Sequence, residues 1–228
     1  MRSLKMFNKI WFKQTASYSI AIYFILTLPL AIAFGVSHKI RFIYFEVLAG
    51  QLARTRNLKY VFIGDSMTRG GENWGWKLEK NPFISKNLGV NGNTTKQIAV
   101  QVKEALNYHP DYIFILAGTN DAHSSKIGVE ETISEYRQLL DKFKTHSSTP
   151  VITLVPFQGK EYVAANNKVE KINRELEIIA RQQNIATINL NPVLAPDNYL
   201  LPQYTYDGVH FTEQAYEVWR EKINDLLS

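Results

Sequence analysis

The strongest constraint on the fold is a pair of short apolar runs that each stop at a glycine. Residues 60–63 are followed by Gly64-Asp65-Ser66, and residues 112–117 are followed by Gly118-Thr119-Asn120-Asp121. Continuous runs of aromatic and β-branched residues are typical of strands buried on both faces of a parallel sheet. Polar residues directly after such strands lie at the carboxyl edge of the sheet, where open α/β folds place their active sites.

Predicted strands and helices alternate along the rest of the chain. Strands are expected near residues 60–64, 87–90, 112–117, 150–155 and 185–189, and helices near residues 95–108, 128–145, 165–183 and 212–227. This alternation predicts a parallel sheet covered by helices on both faces. With 228 residues, 45% of them hydrophobic, the chain has room for one such domain and an N-terminal appendage.

A second polar motif, Asp207-Gly208-Val209-His210, lies about 140 residues after Ser66. Serine is a weak nucleophile at its ordinary pKa, so it needs an imidazole within hydrogen-bond reach and a third group that orients the ring. His210 offers the imidazole, and Asp207 is close enough in sequence to fix its tautomer. The residue types therefore suit a nucleophile, a general base and an orienting acid.

Each motif alone is a common turn or helix-capping signal, and two further features strengthen the catalytic interpretation. Gly92 lies between a predicted strand and a helix, where backbone can approach a ligand closely. Acyl transfer also needs hydrogen-bond donors aimed at the oxyanion of the tetrahedral intermediate. The amides of Ser66 and Gly92 and the side chain of Asn120 are the candidate donors.

In this order, the four motifs resemble the sequence blocks of the SGNH (GDSL) hydrolase superfamily, an esterase- and lipase-like group. The resemblance covers roughly residues 59–228. It implies a flavodoxin-like three-layer α/β/α sandwich whose five-stranded parallel sheet has the order 2-1-3-4-5. It also implies that Ser66 is the nucleophile, that Ser66, Gly92 and Asn120 form the oxyanion hole, and that Asp207 and His210 supply the acid and base. Asn93 departs from the family pattern, which often has aspartate there, and should affect helix capping more than chemistry.

Other catalytic motifs are missing or incomplete in the sequence. The nucleophile elbow of α/β-hydrolases requires glycine two residues after the serine, where this chain has Thr68. The sequence contains neither a phosphate-binding Gly-x-x-x-x-Gly-Lys-Ser/Thr motif nor a His-Glu-x-x-His zinc motif. We therefore predict no metal and no cofactor, and place the histidines other than His210 on solvated surface. Asp121 could serve as the acid partner, but beside Asn120 it is better placed to fix the loop through backbone hydrogen bonds.

The N-terminal segment carries a separate signal. Residues 16–36 contain no charge and are long enough to span a bilayer. The upstream Lys and Arg residues favour a cytoplasmic N-terminus, with the rest of the chain on the far side of the membrane. We predict a basic cytoplasmic segment over 1–15, a transmembrane anchor over 16–36, a stalk helix over 37–58 and the hydrolase domain over 59–228. Residues 31–33 resemble a signal-peptidase site, so a cleaved export signal with secretion is an alternative, and a buried helix of a soluble domain is a third.

The net charge of +5 does not indicate nucleic-acid binding, because of where the charge lies. Six of the 26 basic residues lie before residue 46, where no acidic residue occurs, so the remaining chain is close to neutral. The basic excess therefore belongs to the predicted membrane-flanking segment. The absence of cysteine excludes disulfides and thiolate metal sites.

The predicted function is that of a serine esterase facing the bacterial periplasm or exterior, which removes short acyl groups such as acetate from carbohydrate. Trp74 and Trp76 follow the nucleophile and suit a sugar ring or an acyl chain, although they could equally pack the first helix. The aromatic loop 192–206, with Tyr204, is another candidate pocket wall. The alternatives are a lysophospholipase or thioesterase of the same fold, an envelope glycan O-acetyltransferase, and a non-catalytic envelope binding module.

Overall fold

The structure, a computed structural model, describes residues 58–228. The predicted basic segment, the predicted membrane span and the stalk helix up to residue 57 lie outside the described residues. Within the described part, no helix combines the length and apolar character needed to cross a bilayer.

A five-stranded parallel sheet forms the centre of the domain. Its strands are β1 (Tyr60–Gly64), β2 (Ser85–Asn87), β3 (Tyr112–Leu116), β4 (Thr149–Thr153) and β5 (Ala186–Ile188). The spatial order is β2-β1-β3-β4-β5, which confirms the predicted order. Only β2 is displaced, lying earlier than the predicted 87–90. The chain stays beside β1 past Asn87, since the amides of residues 88 and 90 donate to the carbonyls of residues 62 and 64 at 2.8 Å and 3.0 Å.

The helices cover both faces of the sheet. They are α1 (Ser66–Gly70), α2 (Trp74–Lys77), α3 (Thr95–Leu106), α4 (Thr119–His123), α5 (Val129–Asp141), α6 (Val163–Gln183), α7 (Asn191–Leu194) and α8 (Glu213–Leu227). The four long helices, α3, α5, α6 and α8, were predicted from the sequence. The four short ones were not, because helices of four or five residues are too short to show an amphipathic period.

Alternation along the central strands divides the core into two layers. In β1, Val61 and Ile63 join the apolar cluster formed with α3, α5 and α6, whereas Tyr60 and Phe62 join the cluster formed with α2 and α8. Successive side chains of a strand point to opposite faces, so each central strand contributes to both layers. The arrangement confirms a three-layer α/β/α domain.

Trp74 lies in the second of these layers and not in a substrate pocket. Its ring is fully buried, stacks on Phe62 at 4.4 Å between ring centroids, and meets Trp219 of α8 edge-on at 4.8 Å. The indole N–H donates to the Thr68 carbonyl at 3.2 Å. The predicted substrate contact at Trp74 is therefore wrong, and the packing alternative is correct. Trp76, two residues later, is 47% exposed.

The two tryptophans should differ sharply in what they contribute to stability. Trp74→Ala removes a buried ring and leaves a cavity, so we expect it to lower the free energy of unfolding by about 3–5 kcal/mol. Trp76→Ala, at a half-exposed site, should lower it by clearly less, about 1 kcal/mol. Urea titrations followed by circular dichroism measure both values, and equal losses would contradict the assignment of Trp74 to the core.

Candidate active site

The turn between β1 and α1 positions Ser66. Gly64 ends the strand so close to β3 that a Cβ atom on it would lie 2.7 Å from the Leu116 carbonyl oxygen, which only glycine avoids. Gln101 of α3 holds this strand end by accepting from the Gly64 amide at 2.9 Å and donating to its carbonyl at 3.1 Å. Asp65 then caps α1 by accepting from the Met67 amide at 2.9 Å, which places Ser66 in the first turn.

Two distant side chains fix the short helix that carries Ser66. The Asn87 side-chain amide, at the end of β2, donates to the carbonyls of Thr68 and Glu72 at 2.9 Å and of Arg69 at 3.2 Å. The Tyr216 hydroxyl, on α8, donates to the Met67 carbonyl at 2.8 Å. A helix of one turn leaves most of its carbonyls without partners inside the helix. The bonds from Asn87 and Tyr216 supply those partners and so hold α1 in place.

Ser66, His210 and Asp207 come together in a hydrogen-bonded line. The Ser66 Oγ lies 3.0 Å from the His210 Nε2, and the His210 Nδ1 lies 2.7 Å from the Asp207 Oδ2. Because an ionised carboxylate only accepts, this network assigns the proton to Nδ1 and leaves Nε2 to accept from the serine hydroxyl. The arrangement can take a proton from Ser66 and stabilise the imidazolium that results.

Asp207 is held in its ionised form. Partial burial alone would raise its pKa, but hydrogen bonds from the His210 backbone and ring and from the Val209 amide lower the pKa to about 2. Its Oδ1 accepts from both backbone amides, at 2.8 Å and 3.0 Å, while Oδ2 is directed to the ring. The carboxylate is therefore charged at neutral pH and oriented by its own loop.

The loop that carries Asp207 and His210 is supported by residues 159–162, a segment that no sequence motif indicated. The Gly159 amide donates to the Gly208 carbonyl at 2.7 Å, and the Tyr162 hydroxyl donates to the Asp207 carbonyl at 3.3 Å. No short motif marks these residues, because their partners lie more than 40 positions away. Only their position after β4, at the edge of the sheet that also carries the other site residues, could have indicated them from the sequence.

Buried asparagines hold the irregular chain between β4 and this segment. Asn173, Asn191 and Asn166 accept from the amides of residues 155, 157 and 158, respectively, at 2.8–2.9 Å. They also donate to carbonyls of residues 155 and 158 at 2.8–3.1 Å. Buried backbone groups outside a sheet need partners, so these side chains allow the chain to continue past β4 in a fixed position.

The predicted oxyanion-hole residues lie after three neighbouring strands. Gly92 has a φ of +78°, and no heavy atom lies within 4 Å of the position that a Cβ atom would occupy there. The Asn120 Nδ2 donates to the Asn93 carbonyl at 2.9 Å and lies 3.5 Å from the Asp65 Oδ2, at the outer limit for a hydrogen bond. Asn120 therefore contacts the residue after Gly92 and the residue before Ser66. Its second amide hydrogen has only the long contact with Asp65.

Asp121 fixes this part of the site, as predicted. Its Oδ2 accepts from the Thr95 amide at the start of α3 at 2.8 Å. Asp121 is buried and lies away from the line formed by Ser66, His210 and Asp207, so it does not serve as the acid partner of the histidine.

Asp65 is a buried carboxylate whose significance the sequence did not show. Burial raises its pKa to about 6, although the hydrogen bond from the Met67 amide, the nearby Thr119 hydroxyl and the proximity of His210 oppose that rise. The side chain is fully buried, directly before Ser66. Ionising this group in the folded protein therefore costs free energy at neutral pH.

A cavity of about 560 Å³ opens beside Asp207. Its lining residues come from the segment after β4, the aromatic loop and the Asp207 loop: Gly159, Lys160, Glu161, Asp197, Tyr199, Leu200, Leu201, Pro202, Thr205, Tyr206, Asp207 and Gly208. Of the predicted substrate wall at 192–206, residues between 197 and 206 line this cavity, and their contact with a substrate stays a prediction. Tyr204 is not among the lining residues, since it packs against the core cluster under α8, whereas Tyr206 lines the cavity and is 76% exposed.

The remaining described histidines, His109, His123 and His146, are exposed, as predicted. His123 meets the Tyr162 ring edge-on at 5.0 Å, and partial burial together with the nearby His210 lowers its pKa. Across residues 58–228, no three His, Cys, Asp or Glu side chains come together as a metal-binding group.

A comparison with protein families shows which family the chain belongs to. The model of the GDSL-like lipase/acylhydrolase family matches residues 62–218, which include Ser66, Asn120 and His210. The protein belongs to the GDSL-like lipase/acylhydrolase family. The description of the family names lipases and acylhydrolases.

Solved structures and a curated relative place the GDSL-family hydrolase among known proteins. A GDSL-like lipase from Bacteroides thetaiotaomicron has a TM-score of 0.66 at 25% identity over 74% of this chain and 87% of its own. A catalytic mutant of an acetylxylan esterase from Geobacillus stearothermophilus has a TM-score of 0.61 at 20% identity over 75% and 94%, which shows the shared fold alone. An N-acylneuraminate cytidylyltransferase from Escherichia coli is 28% identical over 161 residues, covering 67% of this chain. The chain spans only 37% of that relative's length.

Because the pKa of Asp65 is raised, replacing this residue should change the free energy of unfolding by an amount that depends on pH. Between about pH 4 and pH 6 the folded protein holds a proton that the unfolded chain has lost, so the contribution of Asp65 to stability falls as pH rises through this window. Asp65→Asn keeps an acceptor for the Met67 amide and cannot ionise. Its free energy of unfolding, relative to the unmodified protein, should therefore rise by on the order of 3 kcal/mol from pH 4 to pH 7.

Urea titrations at several pH values measure this difference. Asp225→Asn, at an exposed site on α8, is the matched control, and its difference from the unmodified protein should stay flat over the same range. A flat difference for Asp65→Asn as well would mean that Asp65 ionises as freely in the folded protein as in the unfolded chain.

Proposed function

We propose that this protein is a serine esterase that works through an acyl-enzyme. The observation that carries the proposal is the line from Ser66 Oγ to His210 Nε2 at 3.0 Å and from His210 Nδ1 to Asp207 at 2.7 Å. Ser66 attacks the ester carbonyl while His210 accepts its proton and Asp207 stabilises the imidazolium. His210 then protonates the leaving alcohol, and water activated by the same base releases the acyl group.

The oxyanion formed in each half-reaction is held by the amides of Ser66 and Gly92 and by the Asn120 side chain. The position of Ser66 in the first turn of α1 supports this role, because amides of a first helical turn have no partner inside the helix. The bond from Asn120 to the Asn93 carbonyl orients its amide in advance, so little reorganisation is needed when the charge develops.

The proposed substrate is a short acyl group, such as acetate, on a carbohydrate. One protein of similar fold is an acetylxylan esterase, and one sequence relative is named for an N-acylated sugar. The cavity beside Asp207 supports the same class, because two tyrosines and four charged side chains are among its lining residues.

We further propose that residues 16–36 anchor the protein in a bacterial membrane, with the esterase domain in the periplasm or outside the cell. The uncharged stretch and the four basic residues before it support this topology. A secreted form, released by cleavage after residues 31–33, is the alternative location. Either placement would bring the site to substrates of the cell envelope.

Ser66→Ala tests the chemistry. With p-nitrophenyl acetate we expect the variant to lose at least about 10⁴-fold in kcat, because it removes the attacking oxygen from a unit of cooperating groups. The unmodified protein should react with a fluorophosphonate at Ser66, and the variant should not. Circular dichroism of the variant controls for folding.

A series of p-nitrophenyl esters from acetyl to palmitoyl tests the acyl preference. We expect the highest kcat/KM at acetyl and a steep fall with chain length. An optimum at long chains would replace the carbohydrate proposal with a lysophospholipase or thioesterase. A folded protein that cleaves no ester and leaves the fluorophosphonate unreacted would rule out the esterase mechanism and favour a binding module.

Fusions at the C-terminus test the topology. Alkaline phosphatase folds only outside the cytoplasm, so its fusion after Ser228 should be active, while a green fluorescent protein fusion at the same site should stay dark. A membrane-bound product of full length would support an anchor, and a shortened product in the medium or periplasm would support cleavage. The reverse pattern of fusion activities would overturn the proposed orientation.

A further inference from the structure

We propose that Asn87 and Gly89 are positioning residues for the oxyanion hole, because they fix the distance between the helix that carries Ser66 and the turn that carries Gly92. The inference rests on the proposed esterase function and adds two residues to the machinery of that site. Both residues act through the groups that they hold in place and not by contact with the substrate.

The three proposed donors of the oxyanion hole lie on three different elements. The Ser66 amide lies in the first turn of α1, the Gly92 amide lies in the loop between β2 and α3, and the Asn120 side chain lies on α4. Donors that must meet one oxygen atom at about 2.7–3.1 Å are effective only while their elements keep a fixed spacing. The contacts between α1 and the loop 88–94 therefore determine how well the site can stabilise the charge.

Asn87 joins α1 to this loop through both polar atoms of its side chain. Its amide nitrogen donates to the carbonyls of Thr68 and Glu72 at 2.9 Å, within α1 and just beyond it. Its oxygen accepts from the Gly89 amide at 2.9 Å. A single side-chain amide thus bonds both elements, so a movement of one element without the other would break a hydrogen bond.

Gly89 brings the backbone of the loop directly onto the backbone of α1. A Cβ atom on Gly89 would lie 2.5 Å from the Arg69 amide nitrogen and 2.9 Å from the Asp65 carbonyl oxygen. These two atoms form the 3.0 Å hydrogen bond that closes the single turn of α1 around Ser66. Because both atoms belong to the main chain and cannot rotate away, only glycine allows this close approach.

A tight turn transmits the position of Gly89 to Gly92. The Val90 amide donates to the Gly64 carbonyl at 3.0 Å, which ties the start of the turn to the end of β1. The Asn93 amide donates back to the Val90 carbonyl at 3.3 Å, and Gly92, the third residue of the turn, has a φ of +78°. A four-residue turn with positive φ at its third residue has a narrowly defined backbone path, so Gly92 moves with Val90.

The Asn120 donor depends on the same turn. The Asn93 carbonyl, at the end of the turn, accepts from the Asn120 Nδ2 at 2.9 Å. A shift of the turn relative to α1 would therefore move Gly92 and Asn120 together away from the nucleophile. It follows that a change at Gly89 should affect the whole oxyanion hole and not one donor alone.

Two variants test the two contacts in the full-length protein in detergent. Asn87→Asp keeps an acceptor for the Gly89 amide but has no donor, so the carbonyls of α1 lose their partner. Gly89→Ala keeps every hydrogen-bonding group and pushes the loop away from α1. With p-nitrophenyl acetate, we expect each variant to lower kcat and kcat/KM about equally, by about 10²-fold, because the oxyanion exists only in the transition state and the intermediate.

Two control variants show whether a loss of stability is enough to lower the rate. Gly128→Ala is the matched control for Gly89→Ala, since a Cβ atom there would meet only the Glu130 carboxylate, at 3.4 Å. Ile179→Ala removes a fully buried side chain near the end of α6, which leads into β5 at the opposite edge of the sheet. Both controls should keep kcat within about two-fold at temperatures where circular dichroism shows the folded domain.

Phenylboronic acid provides a readout that a purely structural role would not change. It forms a tetrahedral adduct with a nucleophilic serine and places an oxygen in the position of the oxyanion. Its inhibition constant should rise in Asn87→Asp and Gly89→Ala by about the factor by which kcat/KM falls. It should stay unchanged in Gly128→Ala and Ile179→Ala.

A double-mutant cycle with Asn120→Ala tests whether Gly89 acts on the whole oxyanion hole. If the turn positions Asn120 as well as Gly92, part of the effect of Asn120 is already lost in Gly89→Ala. The combined loss in kcat should therefore be smaller than the product of the two single losses.

The outcomes separate this inference from the proposed function. Rates within about two-fold of the unmodified protein in both Asn87→Asp and Gly89→Ala would overturn the inference and leave the esterase intact. A loss in kcat without weaker boronate inhibition, or single losses that multiply fully in the cycle, would also overturn it. Absence of ester hydrolysis by the unmodified protein would overturn the proposed function, and this inference with it. Should Gly89→Ala not fold, Asn87→Asp decides the question.

Discussion

The contact on which the site is built joins two atoms 144 positions apart, the Ser66 Oγ and the His210 Nε2. Neither carrier is a long element, since Ser66 lies on a one-turn helix and His210 on a loop. Their relative position therefore depends on side chains from elsewhere. Asn87 and Tyr216 hold the helix, and the segment after β4 holds the loop. A shift of about 1 Å in either carrier would break a hydrogen bond of this length.

This support has a cost in buried polar groups. Three asparagines are buried among apolar side chains to satisfy the backbone after β4, and Asp65 is buried beside the nucleophile with its pKa raised to about 6. A buried carboxylate lowers stability at neutral pH, while buried amides that find all their partners do not. Burying Asp65 therefore lowers the stability of the folded protein at neutral pH, while its bond to the Met67 amide holds the helix that carries Ser66.

The sequence predicted the strands and the long helices well, but it did not predict which of two nearby aromatic side chains is buried. Trp74 and Trp76 are two residues apart with similar flanking residues, yet one is buried under α8 and the other is exposed. Tyr204 and Tyr206 divide in the same way, and only Tyr206 lines the cavity. Short irregular segments have no period from which a facing direction can be read, so these assignments needed the tertiary structure.

The sequence by itself determined the strand order through its resemblance and the four long helices through their periodicity. Its motifs, together with the resemblance, indicated Ser66, Gly92, Asn120, Asp207 and His210 as candidate site residues. The membrane segment stays a prediction from composition. Only the tertiary structure showed that the segment from Gly159 to Tyr162 supports the Asp207 loop, that Asp65 is buried, and that a negatively lined cavity adjoins the site. These features arise from contacts between residues far apart in sequence, and such contacts leave no periodic or local trace in the chain.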